Sequence, residues 1–171
     1  MKFSLRFPAA EISAWAAKYS YPVDSLIEDS IAPAAREQGY LTKTQFLALA
    51  KWKTPRSQPR CERNDAEFVE EVTGRALESK NDRFKIESLL LLDGVAWPTA
   101  SVFLHFCDRG SHPILDYRAL WSLGIATPPP YDYRLWAAYS KFTRELAAKA
   151  RVTMRNLDRA LWQYSKERQS R

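Results

Sequence analysis

Residues 89 to 106 read LLLLDGVAWPTASVFLHF, two apolar runs joined by a short turn. A transmembrane helix needs roughly 20 consecutive apolar residues, and Asp93 and Gly94 divide this stretch in the middle. The stretch reads instead as two helices joined by a tight hairpin. Gly94 supplies a backbone free to take positive φ, and Val95 points back into the bend. Pro98 falls in the first turn of the second helix, where proline is well tolerated, and the small Ala100 lets the two helices cross closely. The N–H groups of the turn and of the second helix's first turn then face outward without partners. Aided by the helix dipole, they suit a phosphate oxygen.

Away from the hairpin, only five glycines in 171 residues and repeated i, i+3, i+4 apolar spacing predict an all-α chain of eight or nine helices. The first covers about 9–19, and a second lies within 24–38 with Pro33 interrupting it. Thr42 and Gln45 form a capping box opening a helix to about residue 51, with Phe46, Leu49 and Ala50 inward. Asn64 and Glu67 are expected to do the same for a helix to about residue 78 that buries Phe68, Val69, Val72 and Ala76. The hairpin helices span about 82–92 and 97–106, and a short helix over 116–123 is closed by Gly124. After a stiff TPPP at 127–130 come two long helices. Leu135, Ala138, Tyr139, Phe142 and Leu146 line one, and Met154, Leu157, Leu161 and Tyr164 the other. The sequence contains no internal repeat, Gly-rich phosphate loop, HExxH or GxSxG.

Composition places these helices in one domain over residues 1–171, with a hydrophobic content of 46% sufficient for a sizeable core. The N-terminal MKFSLRFPAAEISAW interrupts any apolar signal region with charge and Pro8, so a cytoplasmic location is expected. Cys61 and Cys107 are expected to be reduced, and two thiols cannot supply a four-cysteine iron–sulfur cluster. His105 and His112 lack a third ligand at metal spacing and read as structural or exposed. No metal or cofactor is therefore expected. The net charge of +6 is concentrated at one end: residues 134–171 hold ten Lys and Arg against three Asp and Glu. Counterion release to a polyanion would explain such asymmetry, and so would a simply soluble basic surface. A second cluster, KWKTPRSQPRCER at 51–63, sets Lys51, Lys53, Arg56, Arg60 and Arg63 against Glu62. Its two prolines predict a loop with exposed basic side chains.

The pair LDGVAWPTA (92–100) and HPILDYRALW (112–121) resembles the helix-hairpin-helix DNA glycosylase superfamily. That superfamily includes endonuclease III, the adenine glycosylase acting at 8-oxoguanine mismatches, and the alkyladenine glycosylases. Its hairpin reads approximately LPGVGxKTA, and a catalytic aspartate follows in a V-P-V-D-like stretch. Asp116 lies eighteen residues after Pro98, the family's separation between its lyase lysine and its aspartate. The matching motifs cover about residues 86–123, and the WKTPR segment resembles small bacterial helix-hairpin-helix proteins.

The resemblance implies an all-α fold of two lobes. A middle group of helices over about 24–106, with the hairpin at 82–107, would form one lobe. The first helix and the basic C-terminal helices at 131–168 would form the other, with a damaged base entering between them. It implies double-stranded DNA as partner, no membrane, and a monomer. Gly94, Val95, Ala96, Trp97 and Thr99 would hold phosphate, with Arg118 a further candidate. Asp116 would be catalytic, and Tyr117, Trp121 and Trp136 would line a base pocket. Plainer roles stand beside these: aspartate is a common N-cap, tryptophans at helix starts anchor cores, and arginine stems cover apolar surface. Two departures shape the expected chemistry. Pro98 occupies the position of the family's Schiff-base lysine and has no amine, so no AP-lyase step is expected there. Ala96 replaces the second hairpin glycine, narrowing the backbone conformations available. The expected activity is a monofunctional N-glycosylase. The alternatives are a DNA-binding or damage-sensing protein without turnover, and a protein or RNA interaction module using the basic C-terminal helices.

Overall fold

The structure, a computed structural model, describes residues 2–21 and 24–169; Arg171 of the basic segment lies outside them. The chain is all-helical, with no strand among the described residues. In chain order the α-helices are α1 (Ile12–Lys18), α2 (Asp24–Leu26), α3 (Ala32–Gln38), α4 (Lys43–Lys53), α5 (Gln58–Cys61) and α6 (Ala66–Glu78). They continue with α7 (Asp82–Ser88), α8 (Trp97–Cys107), α9 (Tyr117–Ser122), α10 (Tyr133–Ala150) and α11 (Met154–Arg168). Among the described residues no helix is long and apolar enough to cross a membrane. Two compact units emerge, one from the described residues of Met1–Ser20 and Ser111–Arg171, the other from those of Tyr21–Gly110.

In the unit Tyr21–Gly110, Pro33 does not break the second helix. The chain passes from α2 through a π-helical turn at Ile27–Ile31 into α3, with Ala32 N–H donating to the Ile27 carbonyl. Proline cannot donate to the carbonyl four residues back and its ring crowds that oxygen; a wider turn just before it accommodates both. The capping box at α4 forms as expected, Thr42 accepting from Gln45 N–H while Gln45 accepts from Thr42 N–H. Phe46, Leu49 and Ala50 are buried.

Three further expectations in this unit are corrected. The basic stretch at 51–63 is not a loop: a 3-10 turn at Pro55–Ser57 leads into α5, because each proline sits at a helix start, where no N–H is needed. Asn64 is not a cap. Asp65 takes the N-cap position of α6 without a side-chain hydrogen bond, and Asn64 is turned inward. Phe68 is 44% exposed, since the buried stripe of α6 runs through Val69, Val72, Thr73 and Ala76 and leaves Phe68 to one side. The four-leucine run divides likewise. Past α7, Leu89 and Leu92 are buried in and after a 3-10 turn, whereas Leu91 is exposed.

In the other unit, α1 and α9 both pack on α11. Phe7, Trp15 and Tyr164 form an aromatic cluster, with Phe7 and Tyr164 ring centroids 4.5 Å apart. The N-terminal segment hydrogen-bonds along the end of α9, Ser4 N–H to Leu123 O at 3.0 Å and Arg6 N–H to Ser122 O at 2.9 Å. The α10 stripe is rotated from the one expected. Leu135, Trp136, Tyr139, Ser140, Thr143 and Ala147 are buried, while Ala138, Phe142 and Leu146 lie half-buried at its flank, where Phe142 meets Phe3.

Candidate nucleic-acid interface

The hairpin between α7 and α8 is fixed by a local turn at Gly94 and by two long-range contacts that no local pattern announces. Gly94 takes φ of +79°, and Val95 N–H donates to Leu92 O at 3.1 Å to close the turn. Asn64 clamps the residue before the glycine: its carbonyl accepts from Asp93 N–H at 2.8 Å, and its amide donates to Asp93 O at 3.0 Å and to Cys61 O at 2.8 Å. The Gly94 backbone lies directly on α5. A Cβ at Gly94 would stand 2.6 Å from Cys61 Sγ, 2.8 Å from Cys61 N and 3.1 Å from Arg60 Cβ. Glycine is therefore required twice here, for its left-handed backbone and for the close approach.

This bracing places the exposed Arg60 beside the turn and so joins the basic α5 segment to the hairpin. Val95 is half-buried, Ala96 is exposed, and Trp97 and Pro98 are half-buried at the start of α8. Ala96 is the N-cap and has no side chain able to cap. The first hydrogen bond of the helix runs from Ala100 N–H to Ala96 O, and among the described residues the N–H groups of Ala96 and Trp97 have no acceptor. Thr99 is only 2% exposed, so its side chain belongs to the core and not to a phosphate contact. Arg56, Arg60 and Arg63 are exposed around α5.

Asp116 lies in the other unit. It is the N-cap of α9, half-buried, with Oδ1 accepting from Arg118 N–H at 2.8 Å. The preceding segment is held firmly. His112 is buried, with its ring stacked on Trp136 and its Nδ1 3.0 Å from the Arg144 guanidinium; Tyr139 Oη donates to Ile114 O at 2.9 Å. Two phenols respond electrostatically to the carboxylate. Burial pushes the Tyr131 hydroxyl above the ordinary tyrosine range, and Asp116 adds to the shift. Tyr139 is raised further, first by burial, then by Asp158, Asp116 and Tyr131. Both phenols therefore stay neutral at neutral pH, and Tyr131 is a neighbour of Asp116 that sequence spacing did not single out.

The aromatic residues expected to line one base pocket are not gathered. Trp136 is 1% exposed and sits between His112 and Tyr133 as a core side chain. Trp121 packs under the Arg6 guanidinium, 4.5 Å from its ring centroid, and near Tyr164. Tyr117 is 50% exposed, with the Arg118 guanidinium over its ring. His105 is half-buried against Phe106. Among the described residues, no group of three or more His, Cys, Asp or Glu is arranged to hold a metal ion. No family model, curated protein or solved structure matches the chain.

Proposed function

We propose that this protein binds duplex DNA through the hairpin between α7 and α8 and releases an altered base as a monofunctional N-glycosylase. The observation that carries the proposal is the braced hairpin, whose N–H groups at Ala96 and Trp97 have no acceptor among the described residues and whose Gly94 packs against α5 beside Arg60. Outward backbone donors at a helix start favour a phosphate oxygen, and a neighbouring guanidinium adds charge where that anion would lie. Asp116 supplies the carboxylate. As the N-glycosyl bond breaks, its electron pair leaves with the base and positive charge develops on the sugar. A fixed anion stabilises that charge while water adds to the anomeric carbon, and the proton water gives up balances the departing base, which leaves protonated. Pro98 offers no amine, so the product is an intact abasic site.

One observation favours a binding protein without turnover: the Asp116 carboxylate already caps α9, a structural role that accounts for an aspartate here without any chemistry. A panel of duplexes carrying uracil, alkylated purines, and oxidised or mismatched bases separates the two readings. Base release by the wild type that Asp116→Asn abolishes, with binding retained, supports the enzyme. Binding without release by either protein supports the non-catalytic reading.

A further inference from the structure

A second concentration of positive charge lies apart in sequence from the hairpin, on α1, α9 and α11 of the other unit. These helices carry Lys18, Arg118, Arg155, Arg159, Lys166 and Arg168 against only Asp158 and Glu167. Asp158 is itself 8% exposed and engaged by Arg155 at 2.7 Å, while Glu167 accepts from Gln163 at 2.7 Å. The cations are laid over aromatic rings. Lys166 Nζ stands 5.0 Å and the Arg118 guanidinium 5.6 Å from the Trp162 ring centroid, and Arg118 also lies 5.2 Å from Tyr117. Tyr19 meets Trp162 edge to face at 5.3 Å and has the Arg155 and Arg159 guanidinium groups 5.4 and 5.5 Å from its own ring. The result is a continuous strip in which Tyr117 and Lys166 are exposed and Trp162, Tyr19 and Arg118 are half-buried.

We infer that this strip binds single-stranded nucleic acid, a second contact surface independent of the hairpin. Its two chemistries match the two parts of such a ligand. Arg118 lies over the Tyr117 and Trp162 rings and Lys166 over Trp162, so an unpaired base would stack on the guanidinium plane or take a cation's place on a ring, and the cations would meet the phosphates between successive bases. A duplex keeps its base faces stacked away from such rings. An acidic peptide would satisfy the cations but leave the rings without planar partners.

The test is a fluorescence-anisotropy titration of the full chain with labelled oligothymidine and oligouridine over a range of salt concentrations, with acidic peptide and anionic vesicles as competitors. Both Trp162→Ala and the exposed-site change Lys166→Glu are expected to weaken strand binding about tenfold. Trp162→Phe keeps most of the affinity, and Lys80→Glu, a change at an exposed residue of the hairpin unit, leaves it unchanged. Lys166→Glu keeps the test decisive where Trp162→Ala fails to fold, as circular dichroism would reveal. Salt-dependent binding of either strand supports the inference, and the tighter strand identifies DNA or RNA as the source. Absence of salt-dependent strand binding overturns it, as does affinity untouched by Lys166→Glu, or complete displacement of the strands by peptide or vesicles at equal charge concentration.

Discussion

Asn64 shows how much of the hairpin depends on a residue 29 positions away, satisfying both the N–H and the carbonyl of Asp93 from a buried position. Replacing it with alanine removes both bonds and leaves the Cys61 carbonyl only the longer bond, 3.3 Å, from the backbone N–H of residue 64. A destabilisation of about 1–3 kcal/mol is expected, measurable by urea unfolding, with faster amide exchange at Asp93. Gly94→Ala is expected to cost about 2–4 kcal/mol, combining a left-handed backbone with a Cβ driven against Cys61. The two thiols give a chemical check on burial. Burial pushes the Cys107 thiol up to about 12, with Arg36 opposing the shift and Asp108 adding to it, and Cys61 is equally enclosed. At pH 8 neither should react with a thiol reagent until urea unfolds the chain; rapid labelling of the native protein would contradict the packing. The positive φ of Gly94 was legible in the sequence because a two-helix turn of that length needs a residue without Cβ. The Asn64 clamp was not, because a local capping pattern at Asn64 and Glu67 competes with a long-range partner, and nothing in spacing reveals which wins.

At the scale of elements, helix periodicity identified the stripe of α4 and three of the four residues named for α11, with Tyr164 half-buried, and misplaced that of α10 by about one residue. Side chains such as Trp136 and Ser140 carry polar atoms that pattern reading assigns outward, yet both are buried. Tyr139 explains part of the difference, since its hydroxyl must reach the Ile114 carbonyl two residues before Asp116. Tyr139→Phe leaves that carbonyl buried without its donor, with an expected cost of about 1–3 kcal/mol in urea unfolding. The same residue sets an alkaline limit. Its hydroxyl holds its proton in the folded protein well above pH 10, the ordinary value at which the unfolded chain releases it. The resulting stability is fully present below pH 10 and is lost progressively as pH rises above it. Denaturation midpoints followed from pH 8 upward should fall above pH 10 in the wild type and fall less steeply in Tyr139→Phe; equal slopes would remove Tyr139 as the cause. The prolines of the basic segment were read as loop markers for want of knowing their position in a turn; at helix starts the same residues help build α5.

For the molecule as a whole, the all-helical class followed from composition and spacing, whereas the arrangement of the candidate interface did not. The basic segment and the hairpin looked like separate features 34 positions apart, and contact between Gly94 and α5 makes them one surface. The resemblance in LDGVAWPTA and Asp116 supplied a chemistry, and the structure buries the side chains of Trp136 and Thr99, which spacing alone did not reveal. DNA binding by the braced hairpin is the central claim, and a salt titration of duplex binding tests it most directly. Wild-type protein is expected to bind a labelled duplex with an affinity that falls linearly with salt on logarithmic axes, and Arg60→Glu to weaken it and make that slope shallower. Lack of duplex binding at low salt, or binding indifferent to both salt and Arg60→Glu, would contradict it.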